Sequence, residues 1–193
     1  MKIAIIDCGS QKTPHIFECV DEFIDSEVIM MFDANAERLA GFQGVIISGA
    51  PILLSEIDPT RYLIQFNWIR NWDKPLLGIC FGHQILGMLH GSEISRMSED
   101  RDWQTIEAFV DSPLMDKLPN EVQMMEDHCE TISIPPHFKL VGSSDACINE
   151  MMQHHSKPWF GVQFHPEVSG NQGRTLIGNF CELVLNPHKA DNI

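Results

Sequence analysis

Positive charge is scarce in this chain of 193 residues: 13 Lys and Arg stand against 27 Asp and Glu, a formal net charge of −14. Nucleic acid and anionic membrane surfaces both demand clustered Lys and Arg, so neither is expected as a partner. Long apolar runs are missing too. Met1-Lys2-Ile3-Ala4-Ile5-Ile6 reaches Asp7 too soon for the apolar region of a signal peptide, and no later run approaches membrane-spanning length. A soluble protein is expected. The six cysteines (Cys8, Cys19, Cys80, Cys129, Cys147, Cys181) form no C-x-x-C pair, which argues against a disulfide framework and for a reducing, cytoplasmic setting. There are nine histidines, including His154-His155, but no H-E-x-x-H spacing. They read as polar surface residues, and no metal is expected. A G-x-G-x-x-G loop and a Walker A loop are absent, so no cofactor or nucleotide site is expected in the chain. Repeats, low-complexity tracts and flexible linkers are absent as well. With 44% apolar residues to build a core, residues 1–193 read as one domain.

What the chain does contain is a cysteine in an unusual setting. Gly78-Ile79-Cys80-Phe81-Gly82-His83-Gln84 follows the apolar Pro75-Leu76-Leu77 and leads into Ile85-Leu86-Gly87-Met88-Leu89, a strand passing into a helix. Glycines at 78 and 82 allow a sharp turn and close helix–sheet packing, as in the G-x-S-x-G elbow of serine hydrolases. Free N–H groups at the start of the helix favour negative charge on the Cys80 sulfur. A second stretch, Trp159 to Phe164, reads as a strand ending at His165-Pro166-Glu167. In an extended segment residues two apart project to one side, so Glu167 can accept the imidazole N–H of His165. Cysteine, imidazole and carboxylate together make a nucleophile, a base and its orienting group.

Lys2 to Ile6, Glu27 to Met31, Gly44 to Ile47 and Pro75 to Ile79 read as buried strands, with a helix at Thr60–Trp72. Alternating strands and helices imply a parallel sheet. After Gly91 come closely spaced strand-like pieces at Glu93–Met97, Thr105–Val110, Val122–Met125, Phe138–Val141 and Ile148–Gln153, which suit a mixed or antiparallel edge. A last helix is expected from Gly173 to Leu185, ending before Pro187.

GICFGHQ and GVQFHPE are similar to the nucleophile and His/Glu motifs of class I (triad) glutamine amidotransferases. Asp7-Cys8-Gly9-Ser10-Gln11, Ser48-Gly49-Ala50-Pro51, Ser112-Pro113-Leu114 and Gly178-Asn179-Phe180 extend the resemblance along most of the chain. The D-x-G-S-Q opening resembles the glutaminase part of GMP synthetase. The resemblance implies an α/β, flavodoxin-like fold: an open, mostly parallel sheet flanked by helices, with additional antiparallel edge strands. It implies L-glutamine as substrate, a γ-glutamyl thioester on Cys80, and release of ammonia. Backbone amides of Gly49, Ala50 and Phe81 would form the oxyanion hole, and Gln84 and His128 would bind substrate. Ala50 stands where many relatives carry a second glycine; Asp127 and Cys129 stand where such glutaminases have serine and glycine.

Other readings stay open for several of these residues. Gln84 also suits a structural role at the helix start, His83 suits packing, and Glu126, Asp127 and Glu130 taken singly suit a solvated loop. The chain ends shortly after the glutaminase motifs, which leaves a separate synthase subunit receiving the ammonia, or a self-sufficient hydrolase. A freestanding γ-glutamyl hydrolase or transferase could use the same thioester. A noncatalytic binding or regulatory protein on the same fold is the third reading, and the intact Cys80, His165 and Glu167 argue against it.

Overall fold

Successive side chains of a strand face opposite sides of its sheet, yet Ile3, Ala4, Ile5 and Ile6 are all fully buried, which requires cover on both faces. The computed structural model, in which residues 1–190 are described, provides that cover. Its strands are β1 (Ile3–Asp7), β2 (Ser26–Met30), β3 (Gly44–Ile47), β4 (Leu76–Ile79), β5 (Ile94–Asp100), β6 (Trp103–Ala108), β7 (Glu121–Met125), β8 (His128–Ile132), β9 (Phe138–Ser143), β10 (Met151–His154) and β11 (Trp159–Val162). Nine of them form one sheet in the order β2-β1-β3-β4-β11-β10-β9-β6-β7, and β5 pairs with β8 in a separate antiparallel ribbon. From β2 to β11 neighbours run parallel. From β11 to β7 they run antiparallel. The parallel half has the flavodoxin-like order, in which ligands gather beyond the carboxyl ends of the strands.

The main helices are α1 (Thr13–Asp21), α2 (Ala36–Leu39), α3 (Thr60–Gln65), α4 (Phe81–Leu89) and α5 (Gly170–Leu185). On one face Ile3 and Ile5 pack with Ile16 and Val20 of α1 and Leu176, Ile177 and Phe180 of α5. On the other, Ala4 and Ile6 pack with Leu39, Tyr62, Ile85 and Leu86 of the remaining helices. Each such fully buried large apolar side chain contributes about 1.5–3 kcal/mol. No helix among the described residues is long and apolar enough to cross a membrane.

Several expected elements differ in detail. The helix anticipated over Thr60–Trp72 stops at Gln65 and resumes as a 3₁₀ segment, Asn67–Asn71. Phe66, Ile69 and Trp72 are all buried at a spacing of three, which three residues per turn aligns on one face and 3.6 would not. Gln65 is held there by its amide, which donates to the carbonyls of Met31 and Ala34. Strand β8 has no counterpart among the expected strands, because His128, Glu130 and Thr131 give it a polar reading. It forms nonetheless because its partner is β5 and its polar side chains find internal partners. The last helix begins three residues earlier than expected, at Gly170.

Candidate active site

Cys80 joins β4 to α4 in a backbone conformation rare for any residue with a side chain, φ 50° and ψ −104°. The two glycines around it are required by close approach. A Cβ on Gly78 would lie 2.5 Å from the Gly82 carbonyl group, and one on Gly82 would lie 2.4 Å from the Ile47 carbonyl oxygen. The elbow therefore sits tight against the neighbouring strand β3, and Phe81, first in α4, has no carbonyl within the helix for its N–H. Cys80 Sγ receives the side-chain amide of Gln163 at 3.6 Å, and Gln163 Oε1 accepts from Gln84 Nε2 at 3.3 Å. Gln163 lies within the GVQFHPE motif, but a buried amide just beyond β11 carries no signal of its own in the sequence.

His165 lies beyond the end of β11 and meets Glu167, with Nδ1 2.8 Å from Oε1. The backbone does this differently from the extended segment anticipated. Pro166–Val168 is a turn of 3₁₀ helix, where the fixed φ of proline suits the first helical position. The His165 backbone is held from behind by β7, since its main-chain N–H donates to the Met125 carbonyl at 2.9 Å. Ser169, which sequence reasoning missed, completes the brace: its hydroxyl donates to the His165 carbonyl at 2.6 Å and accepts the Met125 N–H at 2.8 Å.

Electrostatics reinforce the geometry. Burial disfavours charge on His165, but the Cys80 sulfur and the Glu167 carboxylate outweigh it and push the ring up to about 10. The ring is thereby favoured as imidazolium at neutral pH. His83 behaves in the opposite way. It is fully buried, and burial pushes it down to about 3, so it stays neutral and serves packing.

A cavity of about 370 Å³ opens on Cys80 and His165 and is also lined by Ala50, Phe81, Gln84 and His128. Gly49 stands at its back. A Cβ there would lie 3.1 Å from His165 Cε1 and 3.6 Å from Cys80 Cβ, so the loop after β3 approaches the nucleophile closely. The structure thus brings together every residue expected at the site. Both ring nitrogens of His128 are occupied by the protein, Nδ1 at 2.9 Å from the Glu130 carbonyl and Nε2 at 3.1 Å from Glu126. A larger cavity of about 850 Å³, lined by Phe109, Lys117, Lys139 and Asn179 among others, contains none of these groups.

The acidic residues around His128 are not a solvated loop. Glu126 and Glu130 are each 1% exposed. Glu130 accepts the N–H groups of Leu54 and Ser55 and the Ser55 hydroxyl. Only Asp127 faces solvent, and it is paired with Lys12 at 2.5 Å, with Arg101 at 3.9 Å. Burial would raise its carboxyl, but Lys12 prevails and holds it below the usual carboxylate range. Lys12 and Arg101 also line the cavity, as do Asp127 and Glu130, and Arg101 lies nearer still to Glu99, at 3.3 Å.

Comparison with known proteins agrees with this arrangement. The family model described as "Glutamine amidotransferase class-I" matches residues 4–183. The chain is 30% identical over 188 residues to the glutamine-hydrolysing GMP synthase subunit of Methanocaldococcus jannaschii, covering 94% of this chain and 96% of the relative. It is 34% identical over 187 residues to the protein of the same name from Methanococcus maripaludis, covering 93% and 95%. The solved structure of a candidate GMP synthase subunit from Thermoplasma acidophilum shares the fold, with a TM-score of 0.90 at 24% identity over 100% of this chain and 98% of the other.

Proposed function

The chain belongs to the class-I glutamine amidotransferase family, and on that premise we propose that Cys80, His165 and Glu167 hydrolyse the side-chain amide of L-glutamine and that the ammonia passes to a separate synthase subunit of the GMP-synthase type. The observation that carries the reading is that Cys80 and His165 open on one cavity, with the His165 ring against Cys80 and its Nδ1 2.8 Å from Oε1 of the buried Glu167.

Glutamine enters with its carboxamide at the elbow. Cys80 Sγ attacks the carboxamide carbon, and the developing oxyanion is received by backbone N–H groups at Phe81 and in the Gly49-Ala50 loop. The methyl group of Ala50 leaves its N–H in place. The imidazolium of His165 gives its proton to the departing amine, so ammonia leaves and a γ-glutamyl thioester remains. The now neutral ring takes a proton from water as the water oxygen attacks the thioester carbon; the C–S bond then breaks, releasing glutamate and restoring the thiolate and the imidazolium. Glu167 fixes the ring and stabilises its cationic form throughout. The Gln84–Gln163 pair supplies an amide donor to the sulfur, and Lys12 and Arg101 in the cavity lining are the cations available to the α-carboxylate of the substrate. His128, with both nitrogens engaged, shapes the wall of the pocket.

The test is reconstitution with the separately encoded synthase subunit from the same cell. Glutamine should support product amination only when this chain is present, and free ammonia should support it without the chain. Rapid turnover without any partner, faster on a γ-glutamyl conjugate than on glutamine, would identify a freestanding hydrolase instead.

A further inference from the structure

His128 belongs to a second constellation as well as to the wall of the cavity. Glu126, from the turn between β7 and β8, and Glu150, just before β10, place carboxylate oxygens so that one atom from each of Glu126, His128 and Glu150 lies within 4.8 Å of the others. All three residues are buried, at 1%, 7% and 0% exposure. The two carboxyl groups face each other. Apart from that mutual contact and the 3.1 Å approach of His128 Nε2, neither oxygen of Glu126 and not Oε2 of Glu150 has a hydrogen-bond partner. Buried oxygens in this state call for a proton, a water or an ion.

We propose that Glu126, His128 and Glu150 form a site for a divalent transition-metal ion behind the wall of the glutamine pocket. Binding displaces the protons these groups share, and the neutral imidazole and two carboxylates that remain carry a charge of −2, which such an ion cancels. The orientation of the ligands is already fixed from outside, as metal ligands require. His128 Nδ1–H donates to the Glu130 carbonyl, so Nε2, 3.1 Å from Glu126 Oε2, presents a lone pair to the ion once it gives up its proton. The Ser144 hydroxyl donates to Glu150 Oε1 at 2.7 Å, leaving Oε2 free. Bonds of ~2.1 Å put tetrahedral ligands ~3.4 Å apart, a spacing near the 3.1 Å that already separates His128 Nε2 from Glu126 Oε2 and within small side-chain movement of the rest. Imidazole with two carboxylates selects a borderline ion such as Zn²⁺, Co²⁺ or Mn²⁺ over Mg²⁺ or Ca²⁺, which take oxygen ligands. The spacing 126, 128 and 150 matches no metal motif, which is why the residue pattern carries no sign of it.

The test uses the whole chain, stripped with a chelator and titrated with Co²⁺. One equivalent is expected to bind, and X-ray absorption of the wild-type complex should show nitrogen and oxygen ligands including imidazole. Glu126→Gln and Glu150→Gln should each weaken binding by at least about 10–100-fold. His154→Ala, in the separate group where the His154 ring lies 6.3 Å from His90 and 6.4 Å from His137, should leave it unchanged. No binding by the wild type, a sulfur ligand in its spectrum, or undiminished binding by both glutamine variants would overturn the proposal.

Discussion

Replacing Ser169 by alanine removes one hydroxyl that touches no substrate, yet the structure gives it two consequences. The half-buried Met125 N–H at the end of β7 loses its acceptor at 2.8 Å, which costs up to about 1–3 kcal/mol where water does not replace it. The bond to the His165 carbonyl at 2.6 Å is also lost, at a net cost of about 0.5–1.5 kcal/mol, since that carbonyl keeps the Val168 N–H at 3.3 Å. The sum is about 1.5–4.5 kcal/mol, or roughly 3–18 °C in Tm for a domain of this size. The second consequence is catalytic. Ser169 and Met125 together set where the His165 backbone sits, and a displacement of about 1 Å at a reacting group costs on the order of 100-fold in rate. Glutaminase assays on Ser169→Ala should therefore show kcat down about 10–100-fold with KM little changed, because the glutamine-binding wall is intact. Urea and thermal unfolding measure the stability loss. Unchanged kcat together with unchanged Tm would refute the bracing role.

His165→Ala should damage turnover more than Glu167→Ala, because the first removes proton transfer and the second mainly orientation; rates of ammonia release in the reverse order would exchange the assigned roles. Gly82→Ala should destabilise the fold. The new Cβ meets the Ile47 carbonyl at 2.4 Å, an overpacking cost of about 1–3 kcal/mol or more against at most about 1 kcal/mol of helix propensity gained, and a Tm equal to or above wild type would contradict it. His83, lowered to about 3 by burial, holds no proton in the folded chain where the unfolded chain holds one. Its contribution is present above pH 6.5 and is lost as pH falls from 6.5 to about 3, at no more than about 1.4 kcal/mol per pH unit. Equilibrium unfolding of His83→Gln across that range should show a shallower acid slope than wild type, and equal slopes would sink the assignment.

The parallel half of the fold is legible in the sequence because its inner strands are short, almost wholly apolar runs bounded by turn residues, and β3 falls residue for residue at the expected Gly44–Ile47. Cys80 is legible because close packing demands glycine on both sides of it. His165 and Glu167 are neighbours as expected but through a different backbone, since the pattern of a strand ending in proline does not distinguish extension from a 3₁₀ turn. Strand β8 and the buried Glu126–His128–Glu150 group are illegible for a common reason: polar residues are expected outside, and only tertiary pairing tells which ones turn inward. Ser169 and Gln163 act through contacts with β7 and α4, far apart in the chain, and no local pattern marks such residues.

The most direct measurement is the mass of the intact chain quenched during turnover with L-glutamine, and separately after reaction with an electrophilic glutamine analogue, followed by peptide mapping. One adduct on Cys80 is expected in each case, and none in Cys80→Ala. An adduct on another cysteine, or ammonia release that continues in Cys80→Ala, would contradict the thioester chemistry.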